Sequence, residues 1–192
     1  MNQVLPRIGF AAIGILATAT AASPLPRLFI PLAIEPVPAL FSSPRPRGTE
    51  VDTIVLHHTA NQSLVGTIKW FQNPRSRVSA HFTVGKDGTV VQHVSTDRCA
   101  WHAGISECPD GRPHVNHFSI GIEIVNRGDG RDPYPPAQVK AVKALVAGLS
   151  RDYPIKQVAS HQFVARPSGR KNDPRNYPWS SLKGLGVELH YG

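Results

Sequence analysis

Asp52-Thr53-Ile54-Val55-Leu56-His57 is β-branched and apolar from Thr53 to Leu56 and ends on a histidine. A run this short and this apolar reads as a buried strand rather than a helix. Ser119-Ile120-Gly121-Ile122-Glu123-Ile124-Val125 has the same character and carries a lone acid. Ile155 to His161 reads as a further strand, again closing on a histidine. Ala80 to Val84 and Thr89 to Val94 read as two strands joined by the turn Gly85-Lys86-Asp87-Gly88. Between these runs the pattern turns helical. Ser63 is placed to cap a helix to about Phe71, with Leu64, Ile68 and Phe71 on one face and Pro74 ending it. Pro135 and Pro136 open a helix to about Arg151, in which Val139, Val142, Val146 and Leu149 form an apolar stripe. Strands alternating with helices indicate an α/β domain: a central mixed β-sheet flanked by helices.

The chain has 192 residues, enough for one domain with appendages, and 41% of them are hydrophobic. Gly 16 and Pro 18 make loop abundant. The net charge of +8 suits an anionic partner: nucleic acid, acidic lipid or a wall polymer. The cations are scattered, with no arginine-rich helix and no interleaved aromatic stripe, which argues against nucleic acid. At the start, one cation, an apolar run from Ile8 to Ala17 and the small residues Ala19-Thr20-Ala21-Ala22 follow the plan of an export signal over 1–22. The other reading is an uncleaved anchor, for which the apolar run is short. Residues 23–49 are Pro-rich and read as a linker or strap, and residues 50–192 as the working domain. The expected location is periplasmic or extracellular, with no stable membrane span once the signal is removed. Cys99 and Cys108 would close a small loop, and an oxidising compartment predicts a disulfide between them.

The chemistry gathers on Arg170-Lys171-Asn172-Asp173-Pro174. A carboxylate two residues from an ammonium, with His161 shortly upstream, makes sense if a divalent metal holds the groups together. Hydrolytic zinc sites use three protein ligands and keep a fourth position for water. His161 and Asp173 supply two, and His57, held at the end of a buried strand, is the best third. Neighbours on a strand face opposite ways, so only one of His57 and His58 can turn to the site. Glu123 is the fourth group, an acid whose place inside an apolar strand demands a partner or a function.

Five pieces in order resemble the zinc-dependent N-acetylmuramoyl-L-alanine amidases of type 2, the family that includes peptidoglycan recognition proteins. They are Val55-Leu56-His57-His58-Thr59-Ala60, Ser79-Ala80-His81-Phe82, Ala100-Trp101-His102-Ala103-Gly104, Ser119-Ile120-Gly121-Ile122-Glu123, and His161 with Arg170-Lys171-Asn172-Asp173-Pro174. The resemblance covers about residues 50 to 180. It implies a single amidase-like domain, one Zn2+ per chain held by His57, His161 and Asp173, and catalytic Glu123 and Lys171. The implied reaction is hydrolysis of the amide between N-acetylmuramic acid and L-alanine of peptidoglycan, with a zinc-bound water as nucleophile. The implied partners are peptidoglycan or muropeptides, met by a monomer. The resemblance places His58, His81, Trp101, His102 and Asn116 at the substrate groove. For His81, facing the site and packing inside stand side by side; for Asn116, so do binding substrate and capping the loop. The competing function is a peptidoglycan-binding module that does not cut. Arg175 stands where the family often has glycine, and His117 where close relatives carry aspartate.

Overall fold

The computed structural model describes residues 33–192. The segment 1–22 read as an export signal lies outside them. In chain order the elements are β1 (Ile34–Pro36), β2 (Ser43–Pro44), β3 (Thr53–His58), α1 (Leu64–Phe71), β4 (Phe82–Val84), β5 (Val90–Gln92), β6 (Arg98–Cys99), β7 (Ser119–Ile124), α2 (Pro136–Asp152), β8 (Gln157–Ser160), α3 (His161–Val164) and β9 (Glu188–His190). Short 3-10 turns occupy Val115–His117 and Trp179–Leu182. The main sheet runs β1-β5-β4-β7-β3-β8-β9. It is mixed: β4 and β5 pair antiparallel, and the other neighbours pair parallel.

Alternation along the strands explains the two faces. Ile54 and Leu56 of β3, Ile120, Ile122 and Ile124 of β7, and Val158 of β8 point to one side and pack with α2. The α2 stripe is Val142, Leu145, Val146 and Leu149, all buried, with Val139 only partly covered. Each such side chain contributes about 1.5–3 kcal/mol of burial, so a charge at the fully buried Val142 would detach the helix. On the other side of the sheet, Val55 and Ala159 pack with Ala103, Cys108, Val115, Phe118 and Val164. The loop from Cys99 to His117 covers that face, and the parallel strands deliver their carboxyl ends to an opening beside it.

α1 starts as the sequence suggests. Ser63 accepts a hydrogen bond from the Gly66 N–H at 3.2 Å, which satisfies one of the helix's orphan donors. β8 ends one residue early. Ser160 is its last residue, and its side chain accepts from the Phe163 N–H and caps α3, so His161 is a first helical residue rather than a last strand residue.

The described part of the Pro-rich stretch, residues 33–49, lies along the domain. β1 pairs with β5, and the Ala39 and Leu40 N–H groups donate to His93 O and Phe71 O. β2 pairs with β6. Arg45 then reaches in and donates to Thr96 O, Asn116 O, His117 O and Ser119 O. The expected disulfide is corrected: Cys99 and Cys108 are free thiols, both buried. Cys99 turns its sulfur toward His117 O, whereas Cys108 packs in the apolar cluster around Val55 and Phe118. Their side chains are spent on different neighbourhoods, and burial pushes the Cys108 thiol up to about 11.

Candidate metal centre

Strand register builds the site. His57 of β3 lies directly beside Glu123 of β7, and Leu56 lies beside Ser160 of β8, one residue before His161. Three adjacent parallel strands therefore hand over Glu123, His57 and His161 at their carboxyl ends, where open α/β sheets place ligands. The loop carrying Asp173 folds back across them, tied by the Gln162 N–H donating to Asp173 O at 2.9 Å.

His57 Nδ1, His161 Nδ1 and Asp173 Oδ2 form a triangle with sides of 3.0, 3.2 and 3.0 Å. All three residues are buried. Donors bound at 2.0–2.2 Å to one tetrahedral ion lie about 3.3 Å from each other, so this triangle fits a single small cation. The donor set fits as well. His161 Nε2 sits 3.1 Å from Ala103 O, an acceptor only, so Nε2 carries the ring's proton and Nδ1 presents a lone pair. That lone pair faces a carboxylate oxygen. Glu123 adds an orphan: its Oε2 is buried with no hydrogen-bond partner among the described residues. Burial, with the Asp173 charge added, pushes the Glu123 carboxyl up to about 8, and Lys171 pulls it the other way. Burial and the neighbouring His161 push the His57 ring down to about 4, so it is neutral at pH 7.

The surrounding cleft has two lobes. One, of about 480 Å³, is lined by His57, His58, Trp101, Glu123, Lys171 and Asp173. The other, of about 510 Å³, shares Glu123, Thr59 and Phe71 with it and extends to Trp70 and Asn73. Glu123 stands at the waist. Lys171 is exposed and forms no hydrogen bond or ion pair among the described residues, so its ammonium is available to a ligand. Trp101 is exposed at the rim and stacks on Phe41 of the strap at 5.3 Å. His58 turns away from the triangle, and its Nδ1 accepts from the Arg175 N–H at 3.1 Å. The residue standing in place of the family's common glycine thus helps hold His58.

Of the two alternatives open for each, His81 packs inside and Asn116 caps the loop. His81 is fully buried. Its Nδ1 accepts from the Gly121 N–H at 2.9 Å, so Nε2 carries the proton and donates to Arg98 O at 3.0 Å. Burial holds this ring down to about 3. Asn116 caps the loop: its Oδ1 accepts from the His102 and Ala103 N–H groups at 3.2 and 2.8 Å. His102 borders the cleft but is itself buried, with Nδ1 3.0 Å from His57 Nε2. Burial holds it well below the usual imidazole range. Arg45 and Ser119, which organise this region, carry no signal that sequence reading could single out. One looks like a strap cation and the other like the first residue of a strand.

The sequence model of the family described as N-acetylmuramoyl-L-alanine amidase matches residues 47–176. The chain is 41% identical over 112 residues to the 1,6-anhydro-N-acetylmuramyl-L-alanine amidase AmpD of Escherichia coli K12, covering 57% of this chain. The match spans 58% of that relative's length. It is 33% identical over 152 residues to N-acetylmuramoyl-L-alanine amidase A of Achromobacter lyticus, covering 68% of this chain and 81% of the relative. Among solved structures it resembles the E. coli amidase AmiD in complex with the substrate anhydro-N-acetylmuramic acid-L-Ala-D-gamma-Glu-L-Lys. That likeness has a TM-score of 0.65 at 29% identity and covers 75% of this chain and 61% of the other.

Proposed function

Because this chain belongs to the N-acetylmuramoyl-L-alanine amidase family, we propose that it hydrolyses the amide joining the lactyl carbonyl of N-acetylmuramic acid to L-alanine, in peptidoglycan or in muropeptides released from it. The observation that carries this reading is the convergence of His57 Nδ1, His161 Nδ1 and Asp173 Oδ2 beside a buried, unpartnered Glu123 oxygen. One zinc ion per chain would be held by His57, His161 and Asp173. When bound, zinc supplies Lewis acidity, polarising a carbonyl and making water nucleophilic near neutral pH.

The protein's own groups then divide the work. Glu123, ionised once a bound cation offsets the Asp173 charge, takes the proton of the attacking water as the oxygen–carbon bond forms, and returns it to the alanine nitrogen as the carbon–nitrogen bond breaks. The Lys171 ammonium faces the oxyanion that develops on the carbonyl. The products are a muramic acid carboxylate and a stem peptide with a free L-alanine amine. The Trp101 indole and His58 border the cleft where the substrate lies, one lobe on each side of Glu123. All five acting groups come from one chain, which supports a working monomer. No helix of the described residues is long and apolar enough to cross a membrane. The signal-like residues 1–22 support an exported enzyme whose domain, residues 50–192, meets the wall in the periplasm or outside, with 23–49 as a linker or strap.

The test is mass spectrometry of products from purified peptidoglycan and soluble muropeptides, with and without a chelator. Chelator-sensitive release of stem peptides bearing a new L-alanine amine is expected. Binding without new amines would overturn the reading in favour of a recognition module, and cleavage elsewhere would overturn the bond assignment. Asp173→Ala should lose zinc and turnover together. Glu123→Gln should keep zinc and lose about 10²–10⁴-fold in rate.

A further inference from the structure

We infer that His102 and Ser119 form a proton-ordered relay that holds His57 in the one tautomer able to ligate metal, which makes them positioning residues for the site. The inference rests on the metal reading above and concerns how this chain prepares its first ligand.

The order of the protons follows from the far end of the relay. Ser119 Oγ lies 2.6 Å from Val115 O, an acceptor only, so the hydroxyl donates there. A hydroxyl has one proton, and toward His102 Nε2, 3.2 Å away, Ser119 can only accept. His102 Nε2 therefore carries the N–H. In a neutral ring the other nitrogen is bare, so His102 Nδ1 accepts from His57 Nε2 at 3.0 Å. His57 then has its proton on Nε2, and Nδ1 turns a lone pair toward His161 and Asp173. Each link is forced by the one before it, starting from a backbone carbonyl with no proton to give.

The structure is built around this relay. Thr53, Val55 and His57 lie opposite Ser119, Gly121 and Glu123 in the β3–β7 register, so Ser119 and His57 stand on one face two pairs apart. The His102 ring bridges that gap over Gly121. A Cβ at Gly121 would come within 2.5 Å of His102 Cγ, so only glycine admits the ring. Asn116 holds the His102 backbone from the other side. Groups that orient a metal-bound histidine are typically worth 10–100-fold in metal affinity.

Ser119→Ala tests the relay with the smallest change, since it touches no ligand. His102→Phe keeps the ring's bulk and removes both nitrogens. Zinc affinity of the full chain would be measured by competition with a chelator, and the His57 tautomer by long-range proton–nitrogen NMR after zinc removal. A tenfold or greater loss of affinity in both variants is expected, with an Nδ1–H form of His57 appearing in Ser119→Ala. Unchanged affinity in Ser119→Ala overturns the inference. So does weakened affinity with His57 still wholly Nε2–H, because that pattern means lost packing. Failure of the unmodified protein to bind zinc overturns the metal reading itself, a result distinct from either.

Discussion

Replacing Arg45 with methionine removes a guanidinium fork while keeping most of the aliphatic stem that packs beneath it. Four carbonyls lose a charged donor at once. Thr96 O and Ser119 O, at 3.0 and 2.9 Å, are well-formed, partly buried bonds. The His117 O bond is short but exposed, and the Asn116 O contact is long at 3.3 Å. Water replaces the exposed His117 O bond at little cost, and the Asn116 O contact is too long to add much. A buried acceptor stripped of its partner costs about 1–3 kcal/mol, so the two protected carbonyls set the expectation at about 3 kcal/mol of lost stability. For a domain of this size that corresponds to about 6–12 °C in Tm. Arg45→Lys should fall between, because an ammonium cannot fork to several carbonyls. Urea unfolding with an unchanged m-value is the assay. A loss under about 1 kcal/mol in Arg45→Met would refute the reasoning, since the strap would then be lying on the domain without being fastened to it.

Acid should destabilise the fold through its buried histidines. Burial holds the His81 ring down to about 3, against an ordinary 6.5, so the unfolded chain takes up a proton there well before the folded one does. Stability from this ring is complete above pH 6.5 and is lost as pH falls toward 3. Between pH 6.5 and 4.5 the loss is about 2–3 kcal/mol. His81→Gln, less stable at neutral pH, should show a shallower acid slope than the parent in the same buffers; equal slopes would remove His81 as the cause. The two thiols give a simpler check. Without reductant, alkylation after unfolding should label both Cys99 and Cys108, and reductant should leave Tm unchanged. A single species resistant to labelling would restore the disulfide.

The elements carried by period were legible. β3 and β7 stand out because both faces are covered, which makes their sequences nearly continuous apolar runs, and α2 stands out by its three-and-four spacing. The grouping of His57, His161 and Asp173 was legible because these residues close apolar strands or sit in a short charged loop, where a bland explanation is costly. Elsewhere the decisive fact was non-local. Arg45 serves carbonyls on a loop some seventy residues away, and no local pattern reports where a carbonyl cluster will form. For His81 and Asn116 the sequence left a groove role and an internal role side by side; what decides is that their ring and amide atoms bond to backbone groups, which no local pattern reports. The cysteine pairing was inferred from compartment chemistry, and geometry decided otherwise.

The side-by-side pairing of His57 with Glu123 acts as a ruler. Neighbouring strands keep a spacing of about 4.8 Å that no side-chain rotation can alter. The reach from the His57 ring to the Glu123 carboxylate is then set by side-chain length alone. Aspartate at position 123 would withdraw the carboxylate by about one bond length, roughly 1.5 Å, and the backbone could not advance to compensate without breaking ladder hydrogen bonds on both sides. A one-residue insertion in either strand is worse, because it turns one of the two groups to the opposite face. The loops around the cleft can lengthen or shorten and reshape what the enzyme accepts, while the distance across which it works stays written in the sheet.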